Sequence, residues 1–207
     1  MQIKFGTDGW RAIIAQEFTT DNVARVAKAT AGWVKSISDK PSITIGHDCR
    51  FAGPLFTEVT IKVLCNEGVK VYAHKGICST PMISLGCVKL NTTAGVVITA
   101  SHNPPTYNGY KLKSNFGGPS TPADIAIVES LIPEKAEIPT TSLDEFVANG
   151  LLEYVDLETM YFKHVEASFD MESIRNGGMT FGYDAMFGAG QKIVRRLLPK
   201  NLVYLHC

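Results

Sequence analysis

No Cys-x-x-Cys pair occurs in this chain. Its five cysteines, Cys49, Cys65, Cys78, Cys87 and Cys207, are odd in number and scattered. That spacing excludes a zinc cluster or a disulfide framework as the organising device and fits thiols in a reducing cytoplasm. No apolar run approaches the roughly 20 residues that span a bilayer. The opening residues Met1 to Gly6 lack the charged-then-apolar layout of a secretion signal, so the sequon Asn91-Thr92-Thr93 carries no weight. Charge excess is missing too. Lys plus Arg and Asp plus Glu number 20 each, which argues against nucleic acid or an anionic membrane as the partner. There is no Gly-x-Ser-x-Gly elbow, no internal repeat and no low-complexity segment.

What is present is ordinary core-forming material, 45% hydrophobic residues over 207 positions. Val23, Val26, Ala27, Thr30, Val34 and Ile37 recur at helical spacing, so a helix is expected over Asp21 to Ser38. Strands are expected at Ser42 to Gly46, Val69 to Ala73 and Ala94 to Thr99. Between them a second helix, marked by Phe56, Val59, Val63 and Leu64, closes at Gly68, and a third opens at Ser79-Thr80-Pro81. One more starts at Thr121-Pro122 and runs through Ile132. Such alternation predicts an α/β fold, a three-layer α/β/α domain with a mostly parallel mixed sheet. The charged, proline-bounded stretch Pro133 to Pro139 reads as a linker, dividing residues 1–139 from 140–207. The second part holds a helix over Leu157 to Phe169. It then starts a similar unit: strand Thr180 to Tyr183, helix Ala189 to Leu198, strand Leu202 to His206. Two strands do not complete a sheet buried on both faces, so the chain reads as part of a longer protein.

Ligands of parallel sheets sit beyond the carboxyl ends of strands. At one such end lies Thr99-Ala100-Ser101-His102-Asn103-Pro104-Pro105-Thr106-Tyr107-Asn108-Gly109-Tyr110-Lys111. A Ser-His-Asn-Pro turn is a common loop. This one, however, is stiffened by Pro104 and Pro105, allows close approach at Gly109, and carries Lys111. A rigid loop with a hydroxyl, backbone N–H groups and a lysine suits an anion such as phosphate. Phe5-Gly6-Thr7-Asp8-Gly9-Trp10-Arg11 is either a turn with an aromatic plug or a glycine-rich turn whose arginine grips phosphate bidentately. Gly46-His47-Asp48-Cys49-Arg50 follows a strand. Neighbouring loop residues rarely chelate one ion together, so an Asp–Arg pair or a phosphate-facing Arg50 is the better reading. Gly188-Ala189-Gly190 lacks the third glycine of a nucleotide fingerprint, Ile193 standing there, and fits close helix–strand packing. His74, His164 and His206 read as ordinary residues.

Together "FGTDGWR", "TASHNPPTYNGYK", "GHDCR" and "DAMFGAGQKIVRRLLP" resemble, in order, the α-D-phosphohexomutase superfamily of phosphoglucomutases and phosphomannomutases. The resemblance runs from Ile3 to the end, spanning that family's first domain and the start of its second. It implies an intramolecular phosphotransferase that interconverts hexose 1-phosphate and hexose 6-phosphate, of glucose or mannose, through a phosphoserine and a hexose 1,6-bisphosphate. By resemblance Ser101 carries the phosphoryl group, Lys111 does acid–base work, and Arg11 stands near the phosphoserine. His102, Asn103 and Arg50 join these around phosphate. Mg²⁺ would bind a phosphoserine oxygen on Ser101, its aspartate partners absent from this chain. The "YNGYK" ending is more similar to phosphoglucomutases and phosphomannomutases than to phosphoglucosamine mutases. The expected partners are small hexose phosphates. Another class of function stays open at this point: a non-catalytic phosphate-binding or interaction module of the same fold.

Overall fold

Trp10 to Ile13 form the first strand, β1, and Thr20–Ile37 the first helix, α1. The computed structural model describes residues 2–6 and 9–204. Thr7 and Asp8 of the opening motif, and His206 and Cys207 at the end, therefore lie outside the described residues. Helix α1 starts at Thr20 because the Thr19 side chain accepts from the Asn22 N–H, a cap worth about 1 kcal/mol. Its expected apolar stripe is buried from Val23 to Val34, with Ala24, Ala29, Ala31 and Trp33 added to it, whereas Ile37 in the last turn is exposed.

The chain continues through β2 (Ser42–His47), α2 (Gly53–Asn66), β3 (Lys70–Ile77), α3 (Thr80–Lys89) and β4 (Ala94–Ile98). Then come β5 (Tyr107–Ser114), α4 (Pro122–Leu131), α5 (Leu143–Ala148) and β6 (Leu152–Tyr154). Gly68, at φ +80°, follows the end of α2 in the left-handed region as expected. Ser79 holds the position before α3 but makes no side-chain cap; Pro81 in the first turn sets the entry instead. Helix α4 carries a full capping box between Thr121 and Asp124.

These strands form a mixed six-stranded sheet in the order β1-β5-β4-β2-β3-β6. β4, β2, β3 and β6 run parallel, and β5 is antiparallel to both β4 and β1. Every residue of β4 is buried, as a strand covered on both faces requires. On one face Val96, Ile98, Ile43 and Ile45 meet the apolar sides of α1 and α2. On the other, Val97 meets Cys78, Met82, Ile83 and Cys87 around α3. Gly46 and Gly95 face that layer, where a Cβ would collide with the Cys78 and Cys87 sulfurs respectively. Burial pushes the Cys78 thiol up to about 12 and the Cys87 thiol to about 11. Both therefore behave as small apolar core residues.

Pro133 to Pro139 lies against this core. The Arg25 Nε donates to the Pro133 carbonyl at 2.7 Å, and Ala136 and Ile138 pack on the main cluster. Beyond it, β6 is the edge strand of the first sheet, and α5 packs on the same core through Phe146, as β6 does through Leu152. The second unit follows as α6 (Leu157–Ser168), α7 (Met171–Asn176), β7 (Phe181–Tyr183), α8 (Ile193–Leu197) and β8 (Leu202–Tyr204). β7 and β8 pair in parallel, as a starting βαβ unit should. Leu157 and Ile193 seat this unit on the α3 layer. Among the described residues no helix is long and apolar enough to cross a membrane.

Glu129 on α4 ties down the segment leading to β1. It accepts from Lys4 Nζ at 2.9 Å and from the Phe5 N–H at 2.6 Å. Burial alone would raise this carboxyl, but the Lys4 ammonium and the Phe5 N–H outweigh it and hold it below its ordinary value. Its contribution is complete above the unfolded-state value of about 4.3, and it is lost as pH falls through the lower folded-state value. Thermal melts between about pH 6 and about pH 3 should therefore fall more steeply for wild type than for Glu129→Gln, which keeps an acceptor but does not titrate. Equal slopes would show that this tie does not matter.

Candidate active site

β4 ends at Ile98, and the chain turns out of the sheet into a loop that returns as β5 at Tyr107. The loop is shorter than the sequence suggests, because Tyr107 to Lys111 is already strand. Ala100 is fully buried, whereas Ser101 and His102 are exposed. Ser101 has φ +58°, in the left-handed region where a residue other than glycine is strained. Short backbone hydrogen bonds define the bend: Asn103 N to Ala100 O at 3.1 Å and Tyr107 N to Pro104 O at 3.0 Å.

Arg11 comes from β1, opposite Gly109 of β5. Its guanidinium donates to the Asn103 side-chain carbonyl at 2.9 Å, tying the opening motif to the serine loop. A Cβ on Gly109 would lie 2.5 Å from the Thr99 carbonyl and 2.9 Å from that of Trp10. Close approach of three backbones is thus why glycine stands there. Lys111 is buried on β5 at 4% exposure, opposite Val97. His102 Nδ1 stands 3.4 Å from Ser101 Oγ, at the outer limit of a hydrogen bond. Among the described residues no carboxylate bonds His102, so the relay of a serine hydrolase lacks its third member.

Arg50, expected among the phosphate ligands, faces elsewhere. Its two terminal nitrogens donate to the carbonyls of Ser101, Asn103, Pro104 and Tyr107 at 2.5–2.9 Å. Its Nε lies 3.7 Å from the Asp48 carboxylate. The guanidinium is therefore engaged by the loop backbone and paired with Asp48. Asp48 also accepts from the Arg50 backbone N–H at 2.9 Å and from the Thr99 hydroxyl. Thr99 Oγ1 in turn accepts from the Ser101 N–H at 3.0 Å. Asp48 and Thr99 were visible in the motifs, but only as a structural pair and as a strand end. Cys49, exposed between Asp48 and Arg50, is held protonated by its partial burial and by the Asp48 charge.

The resemblance assigns Mg²⁺ to a Ser101 oxygen. Among the described residues no group of three or more His, Cys, Asp or Glu comes together, and both Asp48 oxygens are engaged by Thr99 and Arg50. These residues alone do not make a magnesium site, which needs several oxygen donors in a near-octahedral arrangement.

Residues 2–138 match the family described as phosphoglucomutase/phosphomannomutase, alpha/beta/alpha domain I. A probable phosphoribomutase of Schizosaccharomyces pombe is 31% identical over 212 residues, covering 95% of this chain and 35% of that protein. A phosphoglucosamine mutase of Desulforamulus reducens is 32% identical over 206 residues, covering 95% of this chain and 43% of that one. The crystal structure of a "putative phosphomannomutase" from Thermus thermophilus superposes with a TM-score of 0.88 at 30% identity. It covers all of this chain and 46% of its own. The chain thus spans less than half the length of each of these relatives.

Proposed function

The chain belongs to the phosphoglucomutase/phosphomannomutase family, and on that premise we propose that Ser101 carries the phosphoryl group of a phosphohexomutase. The observation that supports this best is the exposed Ser101 hydroxyl at the bend of a loop tied to two arginines from separate strand ends. In the reaction a hexose hydroxyl attacks the phosphorus of phospho-Ser101. The bond from phosphorus to Ser101 Oγ breaks, and a bond from phosphorus to the sugar oxygen forms. The hydroxyl proton leaves to a base, assigned by resemblance to Lys111, and Ser101 Oγ recovers a proton. The bisphosphate turns over, and Ser101 takes back the other phosphoryl group by the reverse step. Such transfers proceed by positioning and by cationic stabilisation of spread charge. Arg11 is the cation best placed, being already anchored on the loop. Hexose phosphates of the glucose and mannose type are the proposed substrates, in a cytoplasmic enzyme assisted by Mg²⁺ held largely by residues beyond those described.

Incubation of a full-length mutase carrying this chain with glucose 1,6-bisphosphate and Mg²⁺, followed by intact-mass measurement and peptide mapping, tests the reading. One added phosphoryl group on Ser101 is the expected result. No addition, or addition elsewhere, overturns it. The 207-residue chain alone is expected to give negligible mutase turnover, since one serine oxygen is too poor a magnesium site.

A further inference from the structure

Ser101 is held on both sides by side chains rather than by the sheet. Its N–H is taken by Thr99 Oγ1 and its carbonyl by an Arg50 terminal nitrogen. Three further carbonyls, those of Asn103, Pro104 and Tyr107, converge on the same guanidinium. Four carbonyl dipoles aimed at one point repel each other unless a cation sits among them, and the rigid fork of arginine matches that need where an ammonium would not. The cation is nearly buried, its side chain 12% exposed, and is balanced by Asp48 at 16%. Asp48 also receives the Thr99 hydroxyl, so the Ser101 N–H, the Thr99 O–H and the carboxylate form one polarised chain.

We propose that Asp48, Arg50 and Thr99 are a positioning unit that sets Ser101 in its left-handed conformation before any phosphate arrives. Gathering the carbonyls beneath the loop turns the Ser101 and His102 side chains outward, as their exposure shows. Arg50 is then a positioning residue and not a phosphate ligand. This deepens the phosphoserine reading and rests on it for its consequence, although the geometry of the unit does not.

The test uses the whole chain in four forms: wild type, Thr99→Val, Thr99→Ser and Arg50→Lys. Two quantities are read: amide exchange of residues 101–107 in the chain, and phosphoryl uptake from glucose 1,6-bisphosphate with Mg²⁺ in a full-length mutase carrying the same substitutions. Thr99→Val keeps the shape but removes the hydroxyl, so exchange at Ser101 should rise about tenfold or more, while Thr99→Ser restores it. Arg50→Lys should speed exchange across the loop by about tenfold to a hundredfold and slow saturated uptake to a similar degree, leaving half-saturation nearly unchanged. Raised half-saturation with wild-type exchange would mean that Arg50 binds phosphate, and the proposal would fall. It would fall equally if Thr99→Val exchanged like wild type. Faster exchange in the variants, with no uptake even in wild type, would sustain the unit and remove the phosphoserine reading. Should Arg50→Lys not fold, the Thr99 pair decides alone.

Discussion

Ser101→Gly raises the thermal midpoint of the chain while abolishing its capacity to accept a phosphoryl group. The serine sits at φ +58°, a conformation that costs a residue with a Cβ about 1 kcal/mol or more. Glycine has no such penalty, but its greater freedom in the unfolded chain gives back about 0.5–1 kcal/mol. The net change is a gain of up to about 1 kcal/mol, or about 2–4 °C in a chain of this size. Ser101→Ala keeps the strained backbone and should leave the midpoint unmoved. In a full-length mutase either change should lower turnover by about four orders of magnitude or more, as loss of a covalent nucleophile does elsewhere. Calorimetry and a coupled mutase assay read the two effects separately. A glycine variant that melts lower than the alanine variant would mean that the conformation at 101 carries no strain. Turnover surviving in either would mean that another group carries the phosphoryl.

A position that favours glycine on backbone grounds and holds serine on chemical grounds is where local sequence rules break down at a site. The surrounding fold follows those rules unevenly. Helix α1 and strands β2 and β4 announce themselves, because their apolar residues keep a helical period or an unbroken buried run. β5 does not. Its residues Tyr107-Asn108-Gly109-Tyr110-Lys111-Leu112-Lys113-Ser114 read as loop, yet Asn108, Lys111 and Lys113 are all buried in the sheet. Asn108 is accommodated by donating to the Phe51 carbonyl and accepting the Gly109 N–H. Those partners lie in the fold and not in any pattern. β1 and β6, four and three residues long, are too short to carry a period at all.

The same distinction separates Ser101 from Arg50 at the site. The serine loop is contiguous, so its stiffness and its hydroxyl can be read along the chain. Arg50 acts on carbonyls some fifty positions away, from Ser101 to Tyr107, and backbone carbonyls are the same whatever residue bears them. Its role leaves no trace in residue identity. Thr99 and Asp48, 51 positions apart, are invisible as a pair for the same reason.

Gly109→Ala is expected to damage stability and site together. The position lies between β1 and the end of β4, paired with Arg11 on one side and accepting from the Thr99 N–H at 2.9 Å on the other. A Cβ there would meet backbone oxygens at 2.5 and 2.9 Å and Arg11 Cγ at 3.1 Å. Main chain cannot swing aside as a flexible side chain can, so the strands must part. Overpacking of this kind costs about 1–3 kcal/mol, or about 2–4 °C of midpoint for each kcal/mol. The displacement also falls on Arg11, which anchors Asn103, and on Thr99, which holds the Ser101 N–H. A shift of about 1 Å at such contacts lowers rate by about a hundredfold, so phosphoryl uptake should fall far beyond what the melting change explains. Gly150→Ala provides the control. It is strained at φ +80° with no atom within 4 Å of the added carbon, so it should lower the midpoint by a comparable few degrees and leave uptake intact. If the two alanine variants lost uptake equally, the loss would follow general destabilisation, and the three-strand junction would have no special hold on Ser101.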